Sequence, residues 1–276
     1  MKLAISTLPF RDWTLKNTLK CCRGAGYDAI EIRMDYHSWS GRSLPDSNYK
    51  AAAREIEASG LRVSNLGSGI VLNDYYEKDL MELRRLLEIA GLLHTRGIRI
   101  MLGNIRLRAD APASRIDREG ILRWLEEADR LAGSYGREIW VETHNEFATG
   151  KALAVVYRET SLKHTKVIWD IMHPLEQGES VEETMKFLGE HIVHVHIKDG
   201  LPWDDPDRLI WKYTRIGEGI IPIRQIVGML YLAGYQGYYS LEWESAWRGE
   251  LEALQCDMQE VETFPEFMKQ LAAEIG

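Results

Sequence analysis

Residues 138–147 read EIWVETHNEF. Ile139, Trp140 and Val141 make the apolar run of a buried strand, which then breaks into Glu142, Thr143, His144 and Asn145. A carboxylate at the end of a core strand is costly unless it is paired or bound to a metal. The stretch therefore asks for a partner elsewhere in the chain.

Working outward, the same kind of short apolar run recurs along the whole sequence. LAIST (3–7), AIEIRM (29–34), LRVSNL (61–66), IRIML (98–102), EIWVET (138–143), KVIWDI (166–171), IVHVHI (192–197) and YYSLEW (238–243) read as strands. Helical patterns fill the gaps: 14–25, 48–59, 75–96, 115–135, 149–161, 180–190, 221–233 and 257–274. The third of these carries Leu80, Leu83, Leu86, Leu87 and Ala90 at helical spacing. Gly26, Gly60, Gly97, Gly136 and Gly234 fall where helices hand over to strands, as C-terminal stops do. Eight strands, each followed by a helix, in 276 residues predict a single (β/α)₈ TIM barrel domain spanning 1–276. The alternative, an open doubly wound sheet, lacks its GxGxxG or GxxxxGKS loop.

Composition narrows the function. The chain is 45% hydrophobic and 28% charged, with a formal charge of −8 and no basic cluster. That argues against nucleic-acid and anionic-membrane partners, which require concentrated positive charge. Cys21, Cys22 and Cys256 are too few and too oddly placed for a disulfide framework. No signal peptide or membrane-length apolar run is legible, so a cytoplasmic location is expected.

In such barrels the chemistry gathers at the C-terminal ends of the strands. From the fifth strand onward those ends supply Glu142, Asp170, His196 and Glu242, one per strand. Adjacent strands lie about 4.8 Å apart, so four inward side chains can meet at one point. Three carboxylates and an imidazole form a ligand set for one divalent metal ion. The oxygen-rich set favours Mn²⁺ or Mg²⁺ and leaves Co²⁺, Fe²⁺ and Zn²⁺ open. By period-two alternation His144, Lys198 and Glu244 line the mouth above that point, and His173 follows Asp170 on the exit loop. His194 faces the same way one layer deeper, as a hydrogen-bonded core histidine. RIGEGIIPI (215–223) offers glycine N–H groups to an anion or makes a tight turn, and Asp199 caps a turn before Gly200. Trp13, Trp39, Trp203 and Trp211 wall a sugar-sized pocket or cover the barrel rim.

VETHNE, VIWDIMHPLEQGES, HIVHVHIKDG and GYQGYYSLEWE resemble the strand ends of the xylose isomerase-like TIM barrels. That superfamily includes sugar-phosphate isomerases and epimerases, ketose 3-epimerases, inosose and dehydroshikimate dehydratases and type IV apurinic endonucleases. The resemblance implies that Glu142, Asp170, His196 and Glu242 bind the metal and that the two glutamates also move protons. It matches His173 to a family loop histidine, and His144 to one two positions after the glutamate ligand of the dehydroshikimate dehydratases. The arginine that the epimerases carry beyond their histidine ligand is not evident after HIKDG. Trp211 and Tyr213 stand where the endonuclease branch has an Asp-x-His pair before its Ile-Gly turn, here Ile216-Gly217.

The resulting expectation is an isomerase or epimerase of a small sugar or sugar derivative. Glu142 and Glu242 would exchange a proton beside a metal-polarised carbonyl through an ene-diolate. His144, His173 and Lys198 would bind the substrate. The alternatives are a dehydratase acting on a cyclitol or dehydroshikimate-type substrate, and a non-catalytic sugar-binding barrel or complex subunit. A homo-oligomer is compatible with all three.

Overall fold

The computed structural model describes residues 1–276. The barrel strands are β1 (Lys2–Ser6), β2 (Ala29–Arg33), β3 (Arg62–Leu72), β4 (Gly97–Leu102), β5 (Glu138–Glu142), β6 (Thr165–Asp170), β7 (Ile192–Ile197) and, after a small hairpin of β8 (Asp199–Leu201) and β9 (Lys212–Thr214), β10 (Tyr238–Leu241). The helices are α1 (Leu15–Ala25), α2 (Asp46–Ser59), α3 (Glu77–Leu92), α4 (Arg118–Ser134), α5 (Gly150–Glu159), α6 (Met172–Glu176), α7 (Val181–Leu188), α8 (Ile223–Leu232), α9 (Gly249–Glu252) and α10 (Asp257–Ile275). The eight barrel strands are parallel and closed in the order β1-β10-β7-β6-β5-β4-β3-β2. This is the (β/α)₈ architecture that the alternation predicts. No helix is long and apolar enough to cross a membrane.

Strand alternation sorts the side chains. Ile139, Val141, Val167, Trp169, Val195 and Ile197 belong to the buried apolar core, together with Leu86, Trp124, Leu125 and Leu153 of the surrounding helices. The other phase, Trp140, His194, His196 and Glu142 among them, meets inside the barrel. Burying a large aliphatic or aromatic side chain is worth about 1.5–3 kcal/mol, so a one-residue slip of any strand would exchange this core for charge.

Gly26, Gly60, Gly136 and Gly234 adopt left-handed backbone at the helix ends. Gly97 does not. The left-handed residue after α3 is His94 (φ 57°), while Gly97 opens β4 and lies against the Trp140 ring. β3 runs past the expected end at residue 66, because the glycines of LGSGI permit an irregularity, seen as a register shift against β4 between Gly67 and Val71. The short β8, β9, α6 and α9 are too brief to show a period in sequence.

Candidate metal centre

Glu142 and Asp170 end β5 and β6, His196 is the penultimate residue of β7, and Glu242 directly follows β10. Parallel pairing sets Asp170 level with His196, and Ser240 level with His196 on the other side. Their ligand atoms, one from each of the four side chains, all lie within 4.8 Å of one another, and all four residues are buried. The strand-end reading therefore brings together all four residues that it named.

The charged neighbours answer the question that Glu142 raises. Its Oε2 accepts from Arg99 Nη1 at 2.5 Å and its Oε1 faces His196 Nδ1 at 2.9 Å. Burial alone would raise its pKa, but Arg99 and His196 outweigh burial and hold the carboxylate ionised. Lys198 does not stand at an open mouth. It is 2% exposed, and its Nζ lies 2.7 Å from Asp170 Oδ2, 2.6 Å from Glu242 Oε2 and 2.9 Å from Glu244 Oε1. Those three carboxylates keep its pKa well above the ordinary value against the pull of burial. Glu242 is in turn held well below its ordinary value, with His196 and Lys198 overcoming desolvation.

His173 and His144 meet ring to ring, with centroids 4.3 Å apart. Burial would lower the His173 pKa, but Asp170 and Glu176 reverse this and raise it to about 9; Glu176 Oε2 lies 2.7 Å from His173 Nδ1. The half-buried His144 is lowered to about 4 by desolvation and by its cationic neighbour. Both line a small cavity of about 110 Å³ with Asn104, Arg106, Glu146 and Ile210. The loops after β4 and β8 come together nearby. Ala109 N–H donates to Asp207 O (2.8 Å), Leu209 N–H to Leu107 O (3.0 Å), and Arg108 Nη1 to Asp205 Oδ2 (2.6 Å).

The residues present fit a divalent cation. Asp170 Oδ2 and Glu242 Oε2 are buried, make no directional hydrogen bond and are faced by the Lys198 ammonium at 2.7 and 2.6 Å, so the cluster already draws a cation to these two oxygens. They lie in a donor set of three carboxylates and one imidazole, which suits a hard or borderline metal.

Several neighbours escape the strand-end reading: Glu31, Arg33, Arg99, Glu176, Tyr213 and Arg248. Glu31 and Arg99 carry the same signal as Glu142, a charge inside an apolar strand, in IEI (30–32) and IRI (98–100). Tyr213 and Arg248 carry none. Hairpin pairing of Tyr213 with Gly200 sets the phenol 3.4 Å from Lys198 Nζ, and Arg248 reaches it at 3.3 Å while donating to Glu244.

Two further expectations resolve differently. The glycine N–H groups of RIGEGIIPI already have an anion, since Asp199 accepts from Gly217 (2.9 Å), Gly219 (3.0 Å) and Ile221 (3.1 Å) as well as Gly200 (2.9 Å). The segment is a turn pinned by an internal carboxylate. Of the tryptophans, Trp39 donates to Trp13 O at 3.1 Å, Trp203 is faced by Arg208 and Lys212, and the Trp211 N–H holds Glu176 at 2.7 Å. None lines the small cavity beside His144 and His173.

Comparison with known proteins identifies the fold and the family. No curated protein sequence matches the chain. Among solved structures, the IolI protein with a zinc atom superposes with a TM-score of 0.79 at 18% identity, covering 100% of this chain and 99% of that one. A probable 3-DHS dehydratase, AsbF of Bacillus anthracis, gives 0.76 at 18% identity over 96% and 99%. A D-psicose 3-epimerase in the presence of D-fructose gives 0.73 at 16% identity over 97% and 99%. At such identities the likeness is one of fold. The sequence profile of one family spans residues 19–261, and the chain belongs to that family, the xylose isomerase-like TIM barrels.

Proposed function

We propose that this protein is a divalent-metal-dependent isomerase or epimerase of a small sugar or sugar derivative. The observation that carries the reading is the convergence of Glu142, Asp170, His196 and Glu242, four buried ligand-type groups from four strand ends. The solved structure of a D-psicose 3-epimerase on the same fold supports it. Mn²⁺ or Mg²⁺ suits the oxygen-rich set best, and the zinc in IolI keeps Zn²⁺ in the test panel. A bound ion would polarise a substrate carbonyl and stabilise the charge that develops on its oxygen.

The chain's own groups do the rest. Glu142 and Glu242 both approach His196 Nδ1, at 2.9 and 3.2 Å, and so flank the same point. Glu242, whose Oε2 faces Lys198 Nζ at 2.6 Å and His196 Nδ1 at 3.2 Å, is the carboxylate to which we assign removal of a proton from carbon. Glu142, clamped by Arg99, returns it from the other side. Lys198 lies among Asp170, Glu242 and Glu244, where its ammonium offsets their charge, and it would meet a substrate oxygen by giving up one of these three contacts. His144 and His173 face the cavity by which hydroxyl groups would be oriented.

The test is NMR of metal-loaded enzyme in deuterated water with a panel of sugars and cyclitols. Carbon-bound deuterium without loss of mass is expected for the true substrate. General acid–base catalysis is typically worth about 10²- to 10⁴-fold. Glu242→Gln and Glu142→Gln should each lose turnover on that scale, while each still exchanges solvent deuterium into the one epimer that its remaining glutamate deprotonates. If both variants, with metal occupancy confirmed, match the parent, the assigned proton-transfer pair is wrong.

A dehydratase is the second reading. It is supported by the His144–His173 contact, in which His173, its pKa raised to about 9 by Asp170 and Glu176, would serve as the acid for a departing hydroxyl, and by the 3-DHS dehydratase on the same fold. Loss of one water from the substrate, seen by mass spectrometry, decides for it.

A further inference from the structure

Behind the four ligands lies a second buried group, Glu31, His194 and His196. We propose that Glu31, backed by His194, is a positioning residue that fixes the tautomer of His196 and so sets the affinity of the metal centre. The inference rests on the metal-centre reading above and adds residues that it does not use.

The two ring nitrogens of His196 face opposite ways. Nδ1 points at the ligand cluster, 2.9 Å from Glu142 Oε1 and 3.2 Å from Glu242 Oε2. Nε2 points away, 2.9 Å from Glu31 Oε2. A carboxylate oxygen accepts and cannot donate, so the Nε2 facing it must carry the proton. By the same rule Nδ1, facing two carboxylates, carries a proton that a bound cation would displace, and its lone pair then goes to the centre while Nε2 keeps its proton on Glu31. The opposite tautomer would set a lone pair against an anion in a sealed site, for Glu31 and His196 are both buried.

His194 reinforces the arrangement. Its Nε2 lies 3.1 Å from the same oxygen of Glu31, its Nδ1 has no partner, and its ring stacks on Trp140 at 5.7 Å. One oxygen thus accepts from two rings, and Glu31 cannot turn away without losing both bonds. Glu31 lies on β2, level with Ser6 of β1, and is 2% exposed. Carboxylates behind a histidine ligand typically change metal affinity 10- to 100-fold when removed.

The experiment titrates Mn²⁺ into metal-stripped parent, Glu31→Gln and His194→Gln, reading free Mn²⁺ by electron paramagnetic resonance. Melting of each metal-free protein is recorded alongside. The expected result is one ion per chain in all three. Affinity should fall 10- to 100-fold in Glu31→Gln and by a smaller factor in His194→Gln, with no matching loss in the melting temperature of the metal-free protein. Parental affinity in Glu31→Gln overturns the proposal. Two ions per chain, one lost in Glu31→Gln, also overturns it by making this group a second metal site. A parent that binds no ion instead sinks the metal-centre reading itself. Should the variants fail to fold, ¹⁵N-histidine NMR of the zinc-loaded parent decides. A proton on Nε2 of His196 supports the assignment, and a proton on Nδ1 refutes it.

Discussion

Asp199 shows how far one buried side chain reaches. Its carboxylate satisfies four backbone N–H groups, from Gly200, Gly217, Gly219 and Ile221, and so fixes the turn that leads into α8. Leaving even one buried donor unsatisfied costs about 1–3 kcal/mol. Asp199→Ala is therefore expected to lower stability by at least that much, read from the urea midpoint at constant slope. His37 gives a pH dependence. Its ring is buried, stacked on Trp39 at 4.5 Å, with Nδ1 3.2 Å from Arg11 O, and desolvation lowers its pKa to about 4. An unfolded histidine titrates near about 6.5, so between these values the unfolded chain takes the proton and the folded one does not. The stability that depends on neutral His37 is present above pH 6.5 and is lost as pH falls towards 4. In His37→Gln the urea midpoint should fall less steeply over that window, and an unchanged slope would refute the assignment.

At the scale of elements, the barrel interior is filled by unequal partners. Trp140 of β5 fills the place that a side chain on β4 would take, which is why Gly97 carries none. Overpacking of this kind typically costs about 1–3 kcal/mol. Gly97→Ala should lie in that range, and Trp140→Leu in the same chain should recover part of it. A double-mutant cycle on thermal midpoints tests the coupling, and strict additivity would mean that the two do not contend for one space. The β8–β9 hairpin plays a comparable part at the other end of the barrel. It brings Tyr213 over Lys198 and Arg248, and the Trp211 N–H to Glu176, so that it holds the site's basic groups and, through Glu176, His173.

For the whole molecule, the candidate ligand set is drawn from four barrel strands, so on the proposed reading metal binding and folding would be linked. An ion held only by the folded chain adds about 2.7 kcal/mol at a free concentration one hundred times Kd. Mn²⁺ at that excess is expected to raise the melting temperature of metal-stripped protein by several degrees. Asp170→Asn should shrink the shift, because an amide replaces one charged ligand. An equal shift in parent and variant would show the ion acting elsewhere on the surface.

The sequence by itself determined the barrel, because period-two and helical apolar patterns are local and repeat along the chain. It also determined which strand ends carry ligand-type groups, since a charge closing a buried strand is anomalous wherever the strand goes. The run of IEI (30–32) and IRI (98–100) held the same anomaly for Glu31 and Arg99, but nothing local shows which carboxylate meets which cation. Only closure of the sheet brought Arg99 to Glu142, Glu31 to His196, and Lys198 into the midst of Asp170, Glu242 and Glu244. Glu31 and His196 are 165 residues apart. Their pairing is a matter of register around a closed barrel, which is settled by packing between strands and not by the properties of either strand alone.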